Sequence, residues 1–273
     1  MQEKWFPGHM MKAYKRLKET INIIDVLVDV RDARAPVSSG NNVLEHLTQT
    51  KKVILVLNKE DLADPQATHK WLRYFYPGRD VFAVNSITKH GIKPIFSCFQ
   101  RLLEEKKILL QAKGRKDVRL RILVVGIPNV GKSAFINSLS KRGKVKVGRK
   151  AGLTRGEQWI NISEGLELLD TPGILPFSKK EEVYWKLAII GSLDRDKIEH
   201  LNVLEKLYKT CPSDSLWMEL PDLYTFLENK GQDYGFLMTG GKVDIEKTAK
   251  RFLQELETGK AKRFLTLELL EEF

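Results

Sequence analysis

Residues 121–133 read RILVVGIPNVGKS, an apolar run that leads into the pattern G-x-x-x-x-G-K-S. The run is short and rich in branched side chains, which predicts a buried strand, and the pattern predicts a turn that opens a helix. In such a turn, glycines let successive backbone amides face phosphate oxygens, and the helix N-terminus adds positive potential. The stretch therefore indicates a phosphate-binding loop, with a glycine-rich turn of no function as the alternative.

The side chains of this loop predict how it would hold a nucleotide. We expect Lys132 to reach the β- and γ-phosphates, as a binding and catalytic residue, and Ser133 to ligate Mg²⁺. The nucleotide-binding residues predicted in this loop are Asn129, Val130, Gly131, Lys132, Ser133 and Ala134. The loop alone does not distinguish ATP from GTP.

Similar apolar runs alternate with helical patterns in the preceding and following sequence. The runs lie at 23–30, 53–58, 81–85, 157–162 and 166–170, and the helical patterns at 41–49, 65–75, 91–110 and 131–140. This alternation predicts a mostly parallel sheet with helices on both faces. Ligands bind at the carboxyl ends of such strands. The residues that stand at those ends are Asn58, Ser86, Gly126 and Asp170.

The run at 53–58 ends in Asn58-Lys59-Glu60-Asp61, which fits the guanine-reading pattern Asn-Lys-x-Asp. Guanine presents N1–H and a 2-amino group, and the single carboxylate of Asp61 can accept both as a charge-assisted pair. Adenine lacks that pair of donors, so it would leave the carboxylate unmatched, and such mismatches discriminate strongly. We expect Asn58 to tie the loop together and the stem of Lys59 to cover the base. A polar turn after a strand is the alternative.

The next predicted strand is followed by Ser86-Ile87-Thr88-Lys89, at the place where a loop supporting the base belongs. This segment departs from the usual Ser-Ala-Lys. The departure affects side chains, whereas a backbone amide at Ile87 can contact guanine O6 whatever its side chain. Ser86 and Ile87 are therefore predicted to bind the nucleotide.

Two further segments predict the switches of a GTPase. Asp170 opens the sequence Asp-Thr-Pro-Gly after another predicted strand, and we expect it to hold Mg²⁺ while the amide of Gly173 senses the γ-phosphate. Thr154 lies between the phosphate loop and this segment. It is the candidate for the switch threonine that ligates Mg²⁺ when GTP is bound.

The five segments occur in an unusual order, namely base reader, base support, phosphate loop, first switch and second switch. In an ordinary GTPase the phosphate loop comes first and the base reader follows. A circular permutation explains the difference, because a chain joined at its usual termini and reopened after the second switch forms the same sheet. The sequence therefore predicts one nucleotide site, built by a circularly permuted P-loop GTPase domain of the α/β class.

The character of the sequence changes near residue 178. Strand-like runs disappear, and residues 244–258 form an amphipathic helical pattern that Asp244 can cap and Gly259 can end. We therefore predict two domains, a GTPase domain at 1–178 and an all-α domain at 179–273 that binds RNA or the ribosome.

Composition narrows the class of partner and compartment. A net charge of +11 favours a polyanionic partner, either nucleic acid or an acidic membrane surface. Two distant cysteines, Cys98 and Cys211, suit a reducing compartment. No apolar stretch approaches the ~20 residues of a membrane span, and the N-terminus lacks the core of a signal peptide. A removed mitochondrial leader is the alternative.

Over essentially its whole length the chain resembles the circularly permuted ribosome-assembly GTPases of the RbgA/YlqF family. The resemblance is carried by WFPGHM at 5–10, DVRDARAP at 29–36, the five reordered segments and GFLMTGG at 235–241. It implies GTP hydrolysis coupled to late maturation of the large ribosomal subunit, contacts with ribosomal RNA, and a monomer off the ribosome. It also implies a cytoplasmic protein without stable membrane association, with the mitochondrial matrix as the alternative.

The catalytic group is not evident from the switch sequence. Ile174 stands where many GTPases carry a glutamine that orients the attacking water. The resemblance suggests that a group from elsewhere acts instead, and His9 is the candidate, with helix capping as the alternative. It also makes Asn129 a candidate ligand of K⁺, with hydrogen bonding inside the loop as the alternative.

Basic side chains cluster in three places. Residues 141–155 carry seven of them and no acidic residue. The second cluster, Lys12, Lys15, Arg16 and Lys18, lies on a predicted N-terminal helix of the GTPase domain, opposite an apolar stripe. The third is Lys247, Lys250, Arg251, Lys260, Lys262 and Arg263. We interpret all three as RNA contacts, with a solvated surface as the alternative. Two rival functions remain, a membrane-associated or signalling GTPase and a non-enzymatic RNA-binding protein. Because few residues separate Gly173 from the helical region, we further expect nucleotide state to set the angle between the two domains.

Overall fold

The computed structural model describes residues 20–40, 51–115, 117–140, 159–170, 181–210, 222–261 and 265–270. Six strands of this part of the chain form one sheet: β1 (Val26–Asp32), β2 (Lys52–Asn58), β3 (Asp80–Val84), β4 (Leu120–Val125), β5 (Trp159–Ser163) and β6 (Leu166–Asp170). Seven α-helices accompany them: α1 (Pro65–Phe75), α2 (Ile92–Gln111), α3 (Lys132–Leu139), α4 (Glu181–Ile189), α5 (His200–Thr210), α6 (Leu223–Asp233) and α7 (Ile245–Thr258).

The strand order places a topological switch point at the centre of the sheet. The order is β3-β2-β1-β4-β6-β5, and every neighbouring pair is parallel except β5 with β6. The chain therefore proceeds from β1 towards one edge and from β4 towards the other. Ligands of open α/β sheets bind where the order reverses in this way. Here the reversal lies between β1 and β4, the strand that precedes the phosphate loop.

Alternation along the strands explains why helices cover both faces. Val28 and Val56 lie in one hydrophobic cluster with Phe99 of α2, whereas Leu55 and Leu57 lie in another with Trp71 of α1. Successive residues of a strand point to opposite faces. The predicted mostly parallel sheet with helices on both faces is confirmed.

The predicted strand at 23–30 is wrong at its start, because β1 begins at Val26. The amide of Ile23 donates to the carbonyl of Thr20, which makes a turn, and the side chain of Ile23 is exposed. The two isoleucines lengthened the apolar run without belonging to the strand. The other predicted strands and helices in the described residues agree with the structure to within about two residues, and the helix predicted at 41–49 lies outside those residues.

The helices beyond α3 pack into the same core as the sheet. Leu187, Leu204 and Phe252 belong to the cluster that contains Val28 and Phe99. Helix α7 begins and ends as predicted: the Asp244 carboxylate accepts from the amide of Lys247, and Gly259 ends the helix with a φ of 76°. The division at 178/179 stays a prediction. Among the described residues, no helix is both long and apolar enough to cross a membrane.

The C-terminal segment returns to the sheet. Leu265 forms a parallel bridge with Ala63, and the amide of Leu267 donates to the carbonyl of Arg34 over 2.9 Å. Trp71 Nε1 donates to the carbonyl of Glu268 over 3.2 Å. These contacts bring residues 265–268 beside the turns that follow β1 and β2.

Candidate nucleotide site

One buried side chain joins three of the loops that the sequence singled out. Asn58 Nδ2 donates to the carbonyl of Val130 in the phosphate loop over 2.8 Å. Its Oδ1 accepts from Ser86 Oγ over 2.7 Å and from the Ser86 amide over 3.3 Å. Asn58 is only 2% exposed, so these bonds are shielded from water. The base-reading, base-support and phosphate loops therefore meet at a single point, despite their inverted order along the chain.

Glycine is required where the phosphate loop packs against its neighbours. A Cβ on Gly126 would lie closer than 3.0 Å to the carbonyl oxygen of Val30 in β1. A Cβ on Gly131 would lie equally close to Asn58 Nδ2, and the φ of 95° at Gly131 disfavours other residues as well. The loop can thus approach β1 and the base-reading turn only with these two glycines.

The phosphate loop leads directly into helix α3. Lys132 is the first residue of α3, and its Nζ donates to the carbonyl of Ile127 over 2.9 Å inside the loop. A phosphate oxygen is an acceptor that can take over this role for the ammonium group. Ser133 is exposed and Ala134 half-buried, whereas the side chain of Val130 lies in the core. Val130 can therefore contribute backbone atoms only.

The base-reading residues form a tight turn. Glu60–Leu62 make one turn of 3₁₀-helix, preceded by Lys59 in the left-handed region with a φ of 58°. Asp61 is exposed, so its carboxylate can accept donors from a ligand. Its charge also acts on the buried guanidinium of Arg34. Glu60 contacts His90 Nδ1, which adds a link to the base-support loop.

The base-support loop is closed by a side chain that the sequence reading did not consider. Asn85 Oδ1 accepts from the amides of Ile87 and Thr88 over 2.9 and 3.1 Å. This turn fixes the loop without the usual Ser-Ala-Lys. It also means that the Ile87 amide must share or exchange its partner to contact guanine O6. The side chain of Ile87 is 86% exposed.

Two charged residues at the end of β1 complete the surroundings of the base-reading turn. Asp32 Oδ2 lies 3.0 Å from Lys59 Nζ and 2.8 Å from Arg34 Nη2. Burial opposes the charge of Asp32, but Arg34 and Lys59 outweigh it and lower its pKa to about 2. Both residues lie in the stretch DVRDARAP, yet spacing alone gave no reason to assign them a role.

The outer side of the phosphate loop is held by the turn that follows α4. Asn129 Nδ2 donates to the carbonyl of Gly191 over 2.6 Å, and Ser192 Oγ donates to the carbonyl of Pro128 over 2.8 Å. The amide nitrogen of Asn129 thus makes a structural contact. Its role as a K⁺ ligand, which would use the amide oxygen, stays a prediction.

The residues present suit Mg²⁺ as far as the structure describes them. Ser133 offers an exposed hydroxyl oxygen at the start of α3, and Asp170 ends β6, the strand next to β4. Oxygen donors are the ligands that Mg²⁺ prefers, together with phosphates and water. The part of the chain that is described holds no group of three or more His, Cys, Asp or Glu residues arranged for a metal. His9, Thr154 and Gly173 lie outside it.

Comparison with known proteins assigns the chain to a family. The family described as 50S ribosome-binding GTPase matches residues 121–211. The chain is 38% identical to ribosome biogenesis GTPase A of Bacillus cereus over 99% of this chain and 95% of the relative. It is 39% identical to the protein of the same name from Priestia megaterium, over 97% and 96%.

A solved structure agrees with this assignment. The crystal structure of GNP-bound YlqF from T. maritima superposes with a TM-score of 0.69 at 29% identity, covering 95% of this chain and all of that one. The sheet order, the loops joined by Asn58 and the similarity along nearly the whole sequence lead to the same conclusion. The chain belongs to the ribosome biogenesis GTPase A (RbgA/YlqF) family and is a circularly permuted P-loop GTPase.

Proposed function

We propose that the protein binds GTP across the loops joined by Asn58 and uses its hydrolysis in late maturation of the large ribosomal subunit. The observation that carries the site is the hydrogen bonding of Asn58 to both the phosphate loop and the base-support loop. Those bonds hold a base-reading turn and a phosphate-binding loop in one place. The match to a family described as 50S ribosome-binding GTPase supports the biological setting.

The residues take the following parts in this proposal. Asp61 accepts the two donors of the guanine edge, and the stem of Lys59 covers the base. Lys132 exchanges the carbonyl of Ile127 for the β- and γ-phosphates. Ser133 and Asp170, with Thr154, hold Mg²⁺, which neutralises charge on the phosphates when it is bound. The amide of Gly173 senses the γ-phosphate.

The water-activating group is a separate proposal. His9 orients the attacking water, because Ile174 at the second switch has no hydrogen-bonding side chain. If the His9→Ala variant still binds GTP and its ribosome-stimulated hydrolysis is undiminished, His9 does not orient the attacking water. A further proposal is that the amide oxygen of Asn129 ligates K⁺. A hydrolysis rate that does not change when Na⁺ replaces K⁺ would contradict this role of Asn129.

The proposed partner is ribosomal RNA on a precursor of the large subunit. The net charge of +11 favours a polyanion. Part of the basic cluster near α7 already has internal partners, since Lys250 pairs with Asp196 and Arg251 with Glu255. These pairs are partly exposed, and exposed pairs are weak, so an RNA phosphate can compete for the cations. The protein works in the cytoplasm, as a monomer off the ribosome.

The phosphate loop is in direct contact with the helical region, so a change in bound nucleotide can affect that region. Asn129 and Pro128 contact Gly191 and Ser192 just after α4. We therefore keep the proposal that the γ-phosphate alters how the helical region is seated. Small-angle scattering curves that are identical with GDP and with a GTP analogue, both free and on the ribosomal particle, would remove this coupling.

Sucrose-gradient sedimentation tests the function as a whole. With a non-hydrolysable GTP analogue present, we expect the protein to sediment with large-subunit particles. With GDP present, we expect it to remain at the top of the gradient. A matched variant, Asp61→Asn, should lose this behaviour with the GTP analogue and regain it with the xanthosine analogue. Migration with membrane vesicles instead of ribosomal particles would favour the signalling alternative, and migration with neither would contradict the proposal.

A further inference from the structure

A short chain of buried charges begins at the base-reading turn. Asp32 Oδ2 lies 3.0 Å from Lys59 Nζ. The same carboxylate receives two side-chain bonds from Arg34, from Nε to Oδ1 over 2.9 Å and from Nη2 to Oδ2 over 2.8 Å. The side chains of Asp32 and Arg34 are both fully buried. Asp32 therefore joins Lys59 to Arg34 in a setting that water does not screen.

The remaining nitrogen of Arg34 reaches the far end of the chain. Its Nη1 donates to the carbonyl of Leu256 over 2.9 Å and approaches that of Glu257 at 3.5 Å. Both carbonyls belong to the last turn of α7, where the helix dipole is negative. The carbonyl of Leu256 also accepts from the amide of Gly259 over 3.4 Å, which leaves room for a second donor. Arg34 thus caps α7 while it holds Asp32, and only a guanidinium has the forked donors for both tasks.

Neighbouring contacts seat the same C-terminal region on the base-reading turn. The amide of Leu265 donates to the carbonyl of Leu62 over 2.9 Å, and the amide of Asp64 donates to the carbonyl of Leu265 over 3.3 Å. Gly259 lies so close to the side chain of Leu62 that a Cβ there would approach within 3.0 Å. The turn that carries Lys59 and Asp61 is therefore enclosed by residues distant in sequence.

We propose that Asp32 and Arg34 are positioning residues that hold Lys59 in place over the base, so that nucleotide affinity depends on the seating of the C-terminal end of α7. The inference rests on the proposed guanine site. A lysine stem has many rotamers, and restricting them before the nucleotide arrives lowers the entropic cost of binding. Lys59 covers any purine, so the effect is on affinity and not on the choice of base.

A purely structural ion pair predicts something different. Loss of Asp32 lowers stability under either role, but in the purely structural case its effect on nucleotide binding would not depend on Lys59. If Asp32 acts through Lys59, the two substitutions must be non-additive. A double-mutant cycle therefore separates the two roles.

The cycle compares wild type, Asp32→Asn, Lys59→Met and the double variant by fluorescence titration with mant-GDP, at a temperature where all four are folded. We expect Asp32→Asn to raise the Kd about tenfold, the size of one well-placed charge-assisted contact. In the Lys59→Met background the same change should alter the Kd less than about twofold. An equal rise in both backgrounds, or no rise in the wild-type background, would overturn the proposal.

A second pair of variants tests the link to α7 and does not depend on Asp32→Asn being folded. Arg34→Lys keeps the charge beside Asp32 but loses the fork that reaches Leu256. We expect a higher Kd for mant-GDP and faster amide exchange at residues 256–261. The matched control is Glu268→Gln, because Glu268 is also buried and binds the amides of Val37 and Ser38 over 2.6 and 2.8 Å.

Glu268→Gln weakens the bonds to the two amides and removes the ion pair with Lys186, but it leaves the Asp32–Lys59 pair unchanged. It should therefore lower the Tm and leave the Kd within about twofold. If it raises the Kd as much as Arg34→Lys does, docking of the C-terminal segment in general matters, and the positioning role is overturned. Asp61→Asn distinguishes failure of the site itself. If Asp61→Asn leaves the preference for GDP over xanthosine diphosphate (XDP) unchanged, the proposed guanine site is wrong. If the preference changes but the double-mutant cycle is additive, only the positioning role is wrong.

Discussion

Asn58→Asp is the sharpest probe of the three-loop junction. The substitution puts an oxygen where Asn58 Nδ2 now lies, 2.8 Å from the carbonyl oxygen of Val130. The other side-chain oxygen still accepts from Ser86, so the base-support loop keeps its contact. One atom therefore changes a hydrogen bond between the base-reading and phosphate loops into a repulsion between two acceptors. The size and shape of the side chain stay the same.

The cost follows from burial. A buried acceptor that loses its donor costs about 1–3 kcal/mol, and an added negative charge at a site 2% exposed raises the cost towards the upper end. Because nucleotide binding requires both loops to be held together, we expect about 2–3 kcal/mol to be lost from binding. This corresponds to a Kd for GDP roughly 30- to 150-fold higher. Ser86→Ala removes only one hydroxyl bond and should raise the Kd about fivefold.

The assay is titration of mant-GDP at a temperature well below the Tm of each variant. Asn202→Asp is the matched control, because Asn202 is an exposed asparagine of α5 whose side-chain amide donates to Glu199 over 3.3 Å. It should leave the Kd within about twofold, as surface changes generally have small effects. If folded Asn58→Asp binds GDP as tightly as this control does, the junction does not hold the site together, and the reasoning is wrong.

Three further outcomes follow from the same geometry. Gly131→Ala should weaken GDP binding more than about tenfold, because its Cβ would clash with Asn58. The control is Gly114→Ala, because Gly114 also has a positive φ, of 77°, but has nothing within 4 Å of its Cβ position. It should cost only about 1 kcal/mol of stability, measured by chemical denaturation. Because folding lowers the pKa of Asp32 from 3.8 to about 2, its ionisation should stabilise the wild type by about 2 kcal/mol above pH 4, relative to Asp32→Asn. This contribution to the free energy of unfolding should disappear as the pH falls from 3.8 through 2. A stability difference that does not change with pH would contradict the prediction. Ser133→Ala should make GTP affinity insensitive to EDTA, measured by calorimetry with and without Mg²⁺.

The phosphate loop and the base reader could be predicted because their chemistry is contiguous in sequence. Gly131, Lys132 and the turn from Asn58 to Asp61 each combine a strand signal with residue types that a phosphate or a guanine requires. The mostly parallel sheet with helices on both faces then followed from the alternation of strands and helices, whereas the strand order was not predicted. The convergence of the base reader and the phosphate loop needed only the rule that parallel strands end at one edge. The hydrogen bond from Asn58 to the carbonyl of Val130 was not predicted.

The contacts that enclose the base-reading turn could not be predicted, because they join distant residues. Arg34 meets the carbonyl of Leu256 across a separation of 222 positions, and Glu268 meets Val37 across 231. No periodicity or spacing records such contacts. Asp32 and Arg34 lie two positions apart at the end of a strand, a pattern equally typical of a surface ion pair. Their complete burial distinguishes them from such a surface pair, and it is visible only in the structure.

The most direct test of the account is the base preference of Asp61→Asn. Xanthine carries a carbonyl where guanine has its 2-amino group, so an amide side chain that can donate a hydrogen bond suits xanthine better. We predict that wild type prefers GDP and that Asp61→Asn prefers XDP, while Lys132→Ala weakens both nucleotides to a similar extent. If Asp61→Asn keeps the wild-type preference for GDP, then the turn after β2 does not read the base of a nucleotide held by the loop after β4.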